Sequence, residues 1–573
     1  MTPPPPTPPS WPHCGEGADP VLDPVGCHGI HVPGHTCCLA HLATSDRAAY
    51  LATLSPGDDV DYRATTFALP LLDELFDALR DPTTTRPRLG SARFDAAVFS
   101  AEARFEGVTF SGDAVFDQAV FSAIARFEDV TFSGDAEFDD VQFSDEAVFD
   151  EAMFSGIAAF RRATFAADAN FRGATFSAET WLWGATFFAN AWLRGAAFTS
   201  ATRIGPLVCQ GRLDLTGAVF SAPVTIEAAA ASVQCGHTQW ESRATLHLRY
   251  ASINLSGAVI TQPIAVTAHP STFLTPSGAA APEAPLAGAD PGVRVTSLRG
   301  VDAAHLVLTD TDLTTCVFTG AFHLDQLSLA GDTHFAAPPT GWRLRNGIPA
   351  RLARRRTIAE EHHWRALTSG NPPPPHGWTP GPHHPNTALT PDPEDVGPVY
   401  RALRKASEDA KNEPDAADFY YGEMEMRRHD HKRPTGERAL ITAYWLLSGY
   451  GLRATRALGW LLLAMTITIL AMMLWGLPTS DPKPRTTGVQ VATGQRAEFV
   501  TDNPDPTLTG PVHDRLTAKR AEKATRVVVN SVVFRSSGQN LTKRGAYIEM
   551  TSRLLEPVLL ALAILAIRGR VKR

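Results

Sequence analysis

Phenylalanine stands at 94, 99, 105, 110, 116, 121, 127, 132, 138, 143, 149, 154, 160, 165, 171 and 176, in steps that alternate five, six, five, six without a slip. Leu182, Phe187, Leu193, Phe198, Ile204, Cys209, Leu215, Phe220 and Ile226 continue the lattice. A second, small position precedes each by two residues: Ala92, Ala97, Ala103, Val108, Ala114, Ala119, Ala125, Val130. With 29 Phe in 573 residues, sixteen consecutive hits are an internal repeat and not composition. The period matches neither the 3.6 of a helix face nor the 2.0 of a simple strand. It fits a short extended face followed by a corner, with the small and the large residue both pointing inward. Such a face cannot bury its apolar side alone, so the chain must coil and stack.

The unit Ala-x-Phe-x-x, as in Ala103-Arg104-Phe105-Glu106-Gly107, resembles that of the pentapeptide-repeat family. The resemblance implies a mainly β protein built on a right-handed quadrilateral β-solenoid. Four faces make a 22-residue coil, so Phe94 to Ile226 spans six coils, roughly 29 Å of rod at about 4.8 Å per strand. Leu89 is expected to start the first face, and the solenoid to cover 89–230. From 231 to 340 the lattice frays: Leu255, Ile260 and Val266 hold the step, 267–292 is a Pro/Ala-rich insertion, and Leu308 to Phe335 resume it.

The outward residues carry a second pattern. Between 91 and 151 fifteen acidic residues face three arginines. Asp95, Asp117 and Asp139 stack in one column and Glu106, Glu128 and Asp150 in another; the same positions then become Arg161 and Arg172. Like charges at strand spacing repel, so the columns are expected to be mildly costly. As a binding surface they would meet a protein partner. Some pentapeptide-repeat proteins imitate duplex DNA and bind type II topoisomerases, which is one reading; a solvated face that blunts aggregation is the plainer one. The net charge of -8 disfavours direct nucleic-acid binding.

Residues 1–10 are proline-rich and expected to be disordered. No basic region followed by an apolar one opens the chain, so no cleaved signal peptide is expected. Four of the seven cysteines then fall together, Cys14, Cys27, Cys37 and Cys38, among several histidines. Cys14, Cys27, Cys37 (or Cys38) and His41 would suffice for tetrahedral zinc, which can fold a segment lacking its own core. The alternative is a loop of free thiols. Short helices over 46–54 and 69–80 complete a segment, 11–88, placed to cap the first coil. Beyond the solenoid, 341–369 reads as a charged surface helix. Its Glu360 and His363 have the spacing of half a di-metal site but no evident second half. Residues 370–395 are a proline-rich linker.

Residues 396–456 read as juxtamembrane helices and 457–573 as a two-helix membrane domain. Ala457 to Leu477 has no charge and is long enough to span a bilayer. Leu554 to Ile567 is shorter and interrupted by Glu556 and Pro557. Basic residues before the first run and after the second predict both termini cytoplasmic, in a cell membrane, with 478 to about 550 outside. Phe419-Tyr420-Tyr421-Gly422-Glu423-Met424-Glu425 and Gly449-Tyr450-Gly451 are similar to segments of membrane-bound pentapeptide-repeat proteins that end in a two-helix potassium-channel-like pore domain. The filter of that domain is replaced here by Arg535, Ser536, Ser537, Gly538, Gln539 and Asn540. A single glycine and a cation at the entrance oppose a carbonyl-lined filter. The expectation is therefore a membrane-anchored scaffold without enzymatic activity, whose membrane domain could also oligomerise. A degenerate channel is one alternative; a membrane-associated oxidoreductase, a label some relatives carry, is another, although no dinucleotide, haem or nucleophile-elbow motif is present.

Overall fold

The computed structural model describes residues 8–19, 23–338, 341–345, 348–352, 355–369, 384, 386–480, 483–488, 492, 494, 496, 499–502, 504–534 and 540–571. It divides into two units, Met1–Asn412 and Glu413–Arg573. Most of the proline-rich start and the linker core at 370–383 lie outside the described residues.

In the first unit, two-residue strands pair in parallel with partners one coil away: Ala92 with Ala114, Phe99 with Phe121, Ala103 with Ala125, and Phe110 with Phe132. They assemble six-, nine- and twenty-stranded sheets, the last wrapping two faces. All sixteen lattice phenylalanines are 2% exposed or less. Rings stack along the rod, Phe105 on Phe127 at 4.6 Å and Phe127 on Phe149 at 4.7 Å. Across the bore they meet edge to face, as Phe127 meets Phe138 at 5.5 Å, both being favoured aromatic geometries. The alternating step comes from two kinds of corner. A five-residue step carries a tight turn with a left-handed residue, such as Gln118 (φ 60°) or Gly107 (φ 66°); a six-residue step bends more openly. At one open bend, Gly134 approaches the coil below so closely that a Cβ would lie 2.7 Å from the Gly112 carbonyl carbon.

Three features differ from expectation. The first coil starts at Val60, which pairs with Ala92, and Phe67 with Phe99. The ten-residue excess over a 22-residue coil is the length of α2 (Leu69–Ala78), which follows α1 (Thr44–Leu51). It replaces one face, setting Phe76 against Phe105 at 5.2 Å. Secondly, the solenoid does not fray after 230. Its coil shortens: Arg203 pairs 22 residues ahead with Thr225, Leu213 pairs 20 ahead with Val233, and Trp240 pairs 20 ahead with Ile260. The 267–292 insertion folds onto the rod, with Phe273, Ala281 and Leu286 packed on Val208 and Ala229 and Glu283 on buried Arg249 at 3.1 Å.

Thirdly, the region after the solenoid is a hairpin, Gly341–Arg345 with Ile348–Leu352, followed by α3 (Ala359–Ser369). This helix is no surface element. Glu360 is fully buried, and its carboxylate accepts the N–H groups of Phe318 (2.5 Å) and Thr319 (2.8 Å) at the end of the rod. Burial pushes its pKa up against those hydrogen bonds. Burial would push Glu361 up too, yet the Arg355 and Arg365 guanidiniums (2.6 and 2.7 Å) hold it well below the carboxylate range. Tyr400, on α4 (Pro393–Asp409), donates to the same carboxylate at 2.5 Å. Glu360 thus ties α3 to the C-terminal end of the rod.

In the second unit, α5 (Glu413–His429), α6 (Thr435–Ser448) and α7 (Ala454–Ala471) are knotted by the two aromatic motifs. Tyr450, in a left-handed turn, donates to Glu425 at 2.9 Å. Arg428 pairs with Glu425 and lies 4.3 Å over the Trp445 ring, whose N–H reaches Tyr421. Helix α7 ends in a π turn, Met472–Gly476. Arg520 of α8 (Ala518–Phe534) caps it, donating to the carbonyls of Met473, Leu477 and Pro478. Helix α9 (Lys543–Val571) runs through Pro557. Glu556 is accommodated because Thr468 and Ser552 both donate to it at 2.8 Å. Ala454–Gly476 and Lys543–Arg568 are long and apolar enough to cross a membrane, by length and composition.

Candidate metal centre and charged faces

The described residues between 11 and 43 contribute few apolar side chains to any core, chiefly Val25, Val32, Leu39 and Leu42. Instead the chain crosses itself. His13 bridges Ile30, and the N–H of Cys14 donates to the Gly29 carbonyl at 2.8 Å. The Leu39–His41 turn then carries Cys38 and His41 to the crossing. Single donor atoms of Cys14, Cys27, Cys38 and His41 lie within 4.8 Å of one another. Cys27 Sγ stands 3.8 Å from Cys38 Sγ, and His41 Nδ1 lies 3.5 Å from Cys14 Sγ and 3.3 Å from Cys38 Sγ. Gly29 is required here, since a Cβ would sit 2.7 Å from that of Cys38, and its N–H donates to Cys27 Sγ at 3.4 Å. Burial pushes the Cys38 thiol up to about 12 and raises Cys27 as well, so thiolates here call for a neighbouring cation. The set has the geometry to hold a metal ion. Of the sequence candidates it gathers Cys14, Cys27 and His41; Cys38, and not Cys37, completes it.

The acidic columns are engaged within the rod, and Asp139 is buried. The Asp117 carboxylate accepts the N–H of Asp139, Asp139 that of Arg161, and Asp150 that of Arg172, each at 2.9 Å and each 22 residues ahead. Corner amides that miss the strand ladder thereby find partners. The columns are clamps between coils as well as like charges. Repulsion persists at Asp117, which burial, then Asp139, Glu137 and Asp95, push up to about 6. Asp95 pairs with Arg93, and Glu128 and Glu106 with Arg126 at 3.1 and 3.8 Å. Arg161 pairs with Asp139, and Arg172 approaches Asp150 at 4.0 Å.

Past the acidic block, sequence reading missed three half-buried tryptophans. Arg161 lies over Trp181 (5.2 Å) and Trp183 (5.9 Å), and Arg172 over Trp192 (5.7 Å). Their spacing of 22 from Ala159, Arg161 and Asn170 placed them on outer columns and was the available signal. In the second unit, 535–539 of the filter region lie outside the described residues, and Asn540 is exposed ahead of α9.

The family model for pentapeptide repeats (nine copies) matches residues 94–142, 138–186 and 149–197. Comparison with curated proteins and with solved structures found no match. Residues 94–197 of this chain are therefore pentapeptide repeats, and with the coils stacked beyond them they form a four-sided β-solenoid.

Proposed function

We propose that this chain is a membrane-anchored scaffold whose solenoid binds a cytoplasmic protein through its Arg–Trp faces. The observation that carries the reading is the set of Arg161, Arg172, Trp181, Trp183 and Trp192 on outer columns. Tryptophan and arginine dominate binding hot spots; Arg161 is already paired with Asp139, while Arg172, half exposed and 4.0 Å from Asp150, presents its guanidinium to an acidic partner beside the Trp192 indole. The acidic columns support binding less well, because Asp117, Asp139 and Asp150 already hold backbone amides and Asp95, Glu106 and Glu128 pair with arginines of the rod. Two apolar helices with basic flanks support anchoring with both ends cytoplasmic. Proximity labelling in the host compares the wild type with Trp183→Ala and Trp192→Ala. A subset of labelled proteins should disappear, whereas an unchanged set would sink the reading. A reporter active only outside the membrane should work when fused near Val500 and be silent near Gly370; the reverse pattern would overturn the topology.

We also propose zinc as the ion for Cys14, Cys27, Cys38 and His41. Zinc at about 2.3 Å from sulfur and 2.0–2.1 Å from nitrogen implies tetrahedral edges near 3.8 Å for S–S and about 3.5 Å for S–N. Three of the six separations, 3.8, 3.5 and 3.3 Å, lie close to those values, and all six are within 4.8 Å. Metal analysis of the full chain should find about one zinc, lowered by Cys14→Ser and unchanged by Cys37→Ser; metal-free folded protein would refute it.

A further inference from the structure

The metal lobe sits against the outermost coil, and resting on the zinc reading we infer that it is the N-terminal end-cap of the solenoid, held shut by the ion. The N–H groups of Val60, Tyr62 and Ala64 donate to the carbonyls of Ser91, Arg93 and Asp95 at 2.9, 2.8 and 2.7 Å. In a parallel ladder alternate residues face opposite neighbours, so Asp61 and Arg63 turn their backbone groups away from the second coil. That is an open sheet edge, which natural proteins cover.

The cover is the metal lobe. The N–H of Ile30 donates to the Arg63 carbonyl at 3.0 Å. The N–H and guanidinium of Arg63 take the Asp61 carboxylate, with Nη2 at 2.7 Å. Trp11 lies against that guanidinium at 4.8 Å and donates its indole N–H to the His28 carbonyl at 2.9 Å. Each of these contacts lies in or beside a ligand loop: His28 directly follows Cys27, Ile30 stands three residues after it, and Trp11 three residues before Cys14. Among the described residues the lobe buries only four aliphatic side chains, Val25, Val32, Leu39 and Leu42, and below about 40 residues a segment needs a metal or disulfide to stay folded. Removing the ion leaves the Cys14 and Cys27 segments joined only by backbone hydrogen bonds and releases the Cys38–His41 turn from both cysteine side chains. Ile30 then leaves Arg63, and the first coil loses its cover.

The test is amide hydrogen exchange on the full-length protein in detergent, as purified and after chelation, with zinc content measured on both. Stripping should speed exchange over 57–67 on the order of tenfold, the loss of about one hydrogen bond's worth of protection. Segment 120–170 should be unaffected, and zinc re-addition should restore protection. Trp11→Ala, which keeps all four ligands, should loosen 57–67 while retaining zinc. If the zinc leaves and 57–67 exchanges as before, the cap is wrong and the zinc site stands. If the purified protein holds no zinc and gives no tetrahedral cobalt–thiolate spectrum on cobalt addition, the zinc reading itself falls.

Discussion

Phe127 and Glu128 are neighbours with opposite fates. Phe127 is fully buried among stacked rings, while Glu128 points outward beside Arg126. Phe127→Asp should cost about 4 kcal/mol or more in denaturant unfolding, the sum of a lost core side chain and a stranded carboxylate. Glu128→Ala should cost about 1 kcal/mol or less, as pairs at the surface do. The sequence showed this much because inward and outward alternate locally. It did not show that Asp117, Asp139 and Asp150 clamp amides 22 residues on, because a column of charges looks the same whether or not each accepts a hydrogen bond. Nor could spacing separate Cys37 from Cys38, which only the Leu39–His41 turn distinguishes. Asp117 supplies a pH prediction. Its folded value is about 6 against an ordinary 3.8, so between those values the folded state holds the extra proton. This contribution is therefore present at low pH and lost as pH rises through 4 to 6. Asp117→Asn keeps an acceptor for Asp139 and should flatten that slope in a melting-temperature series.

Helix α3 was legible as a helix but not as a plug. Its start was read too early because the stretch from 341 to 352 folds back as a hairpin, and Glu360, Glu361 and His363 looked like solvated charge. Their burial depends on Phe318, Thr319 and Tyr400, which are distant in sequence. Glu361→Ala would leave the Arg355 guanidinium, 5% exposed, without its carboxylate and should cost about 3–5 kcal/mol. Tyr400→Phe removes the bond donated to the Glu361 carboxylate and the one accepted from the Ile358 N–H at 3.2 Å, but leaves Glu361 with its guanidiniums, and should cost about 1.5–3 kcal/mol. Calorimetry on both variants checks the order; equal, negligible losses would mean that α3 does not close the rod. The second block shows another limit of periodicity. Held to a 22-residue template, coils of 20 look like decay, although Trp240 stacks on Phe220 at 4.3 Å as regularly as any earlier ring.

At the scale of the whole molecule, both units were visible as composition: a phenylalanine lattice, then two apolar runs. The aromatic motifs between them gave only a likeness; the structure gives them work, since Tyr450, Glu425, Arg428 and Trp445 fix the approach to α7. Reconstituted alone in a bilayer, the full chain should pass no potassium-selective current, because Arg535 to Asn540 offers one glycine where a filter needs successive backbone carbonyls. A selective single-channel current abolished at Gly538 would reverse that. The clamps have a consequence for how such a chain can change. Each joins a carboxylate to an amide 22 residues later, so a one-residue insertion within these coils breaks the clamps spanning it. A whole circuit can be added without severing any. The rod is thus a ruler graduated in single notches of about 4.8 Å, and its reach can be reset by duplication but not by drift.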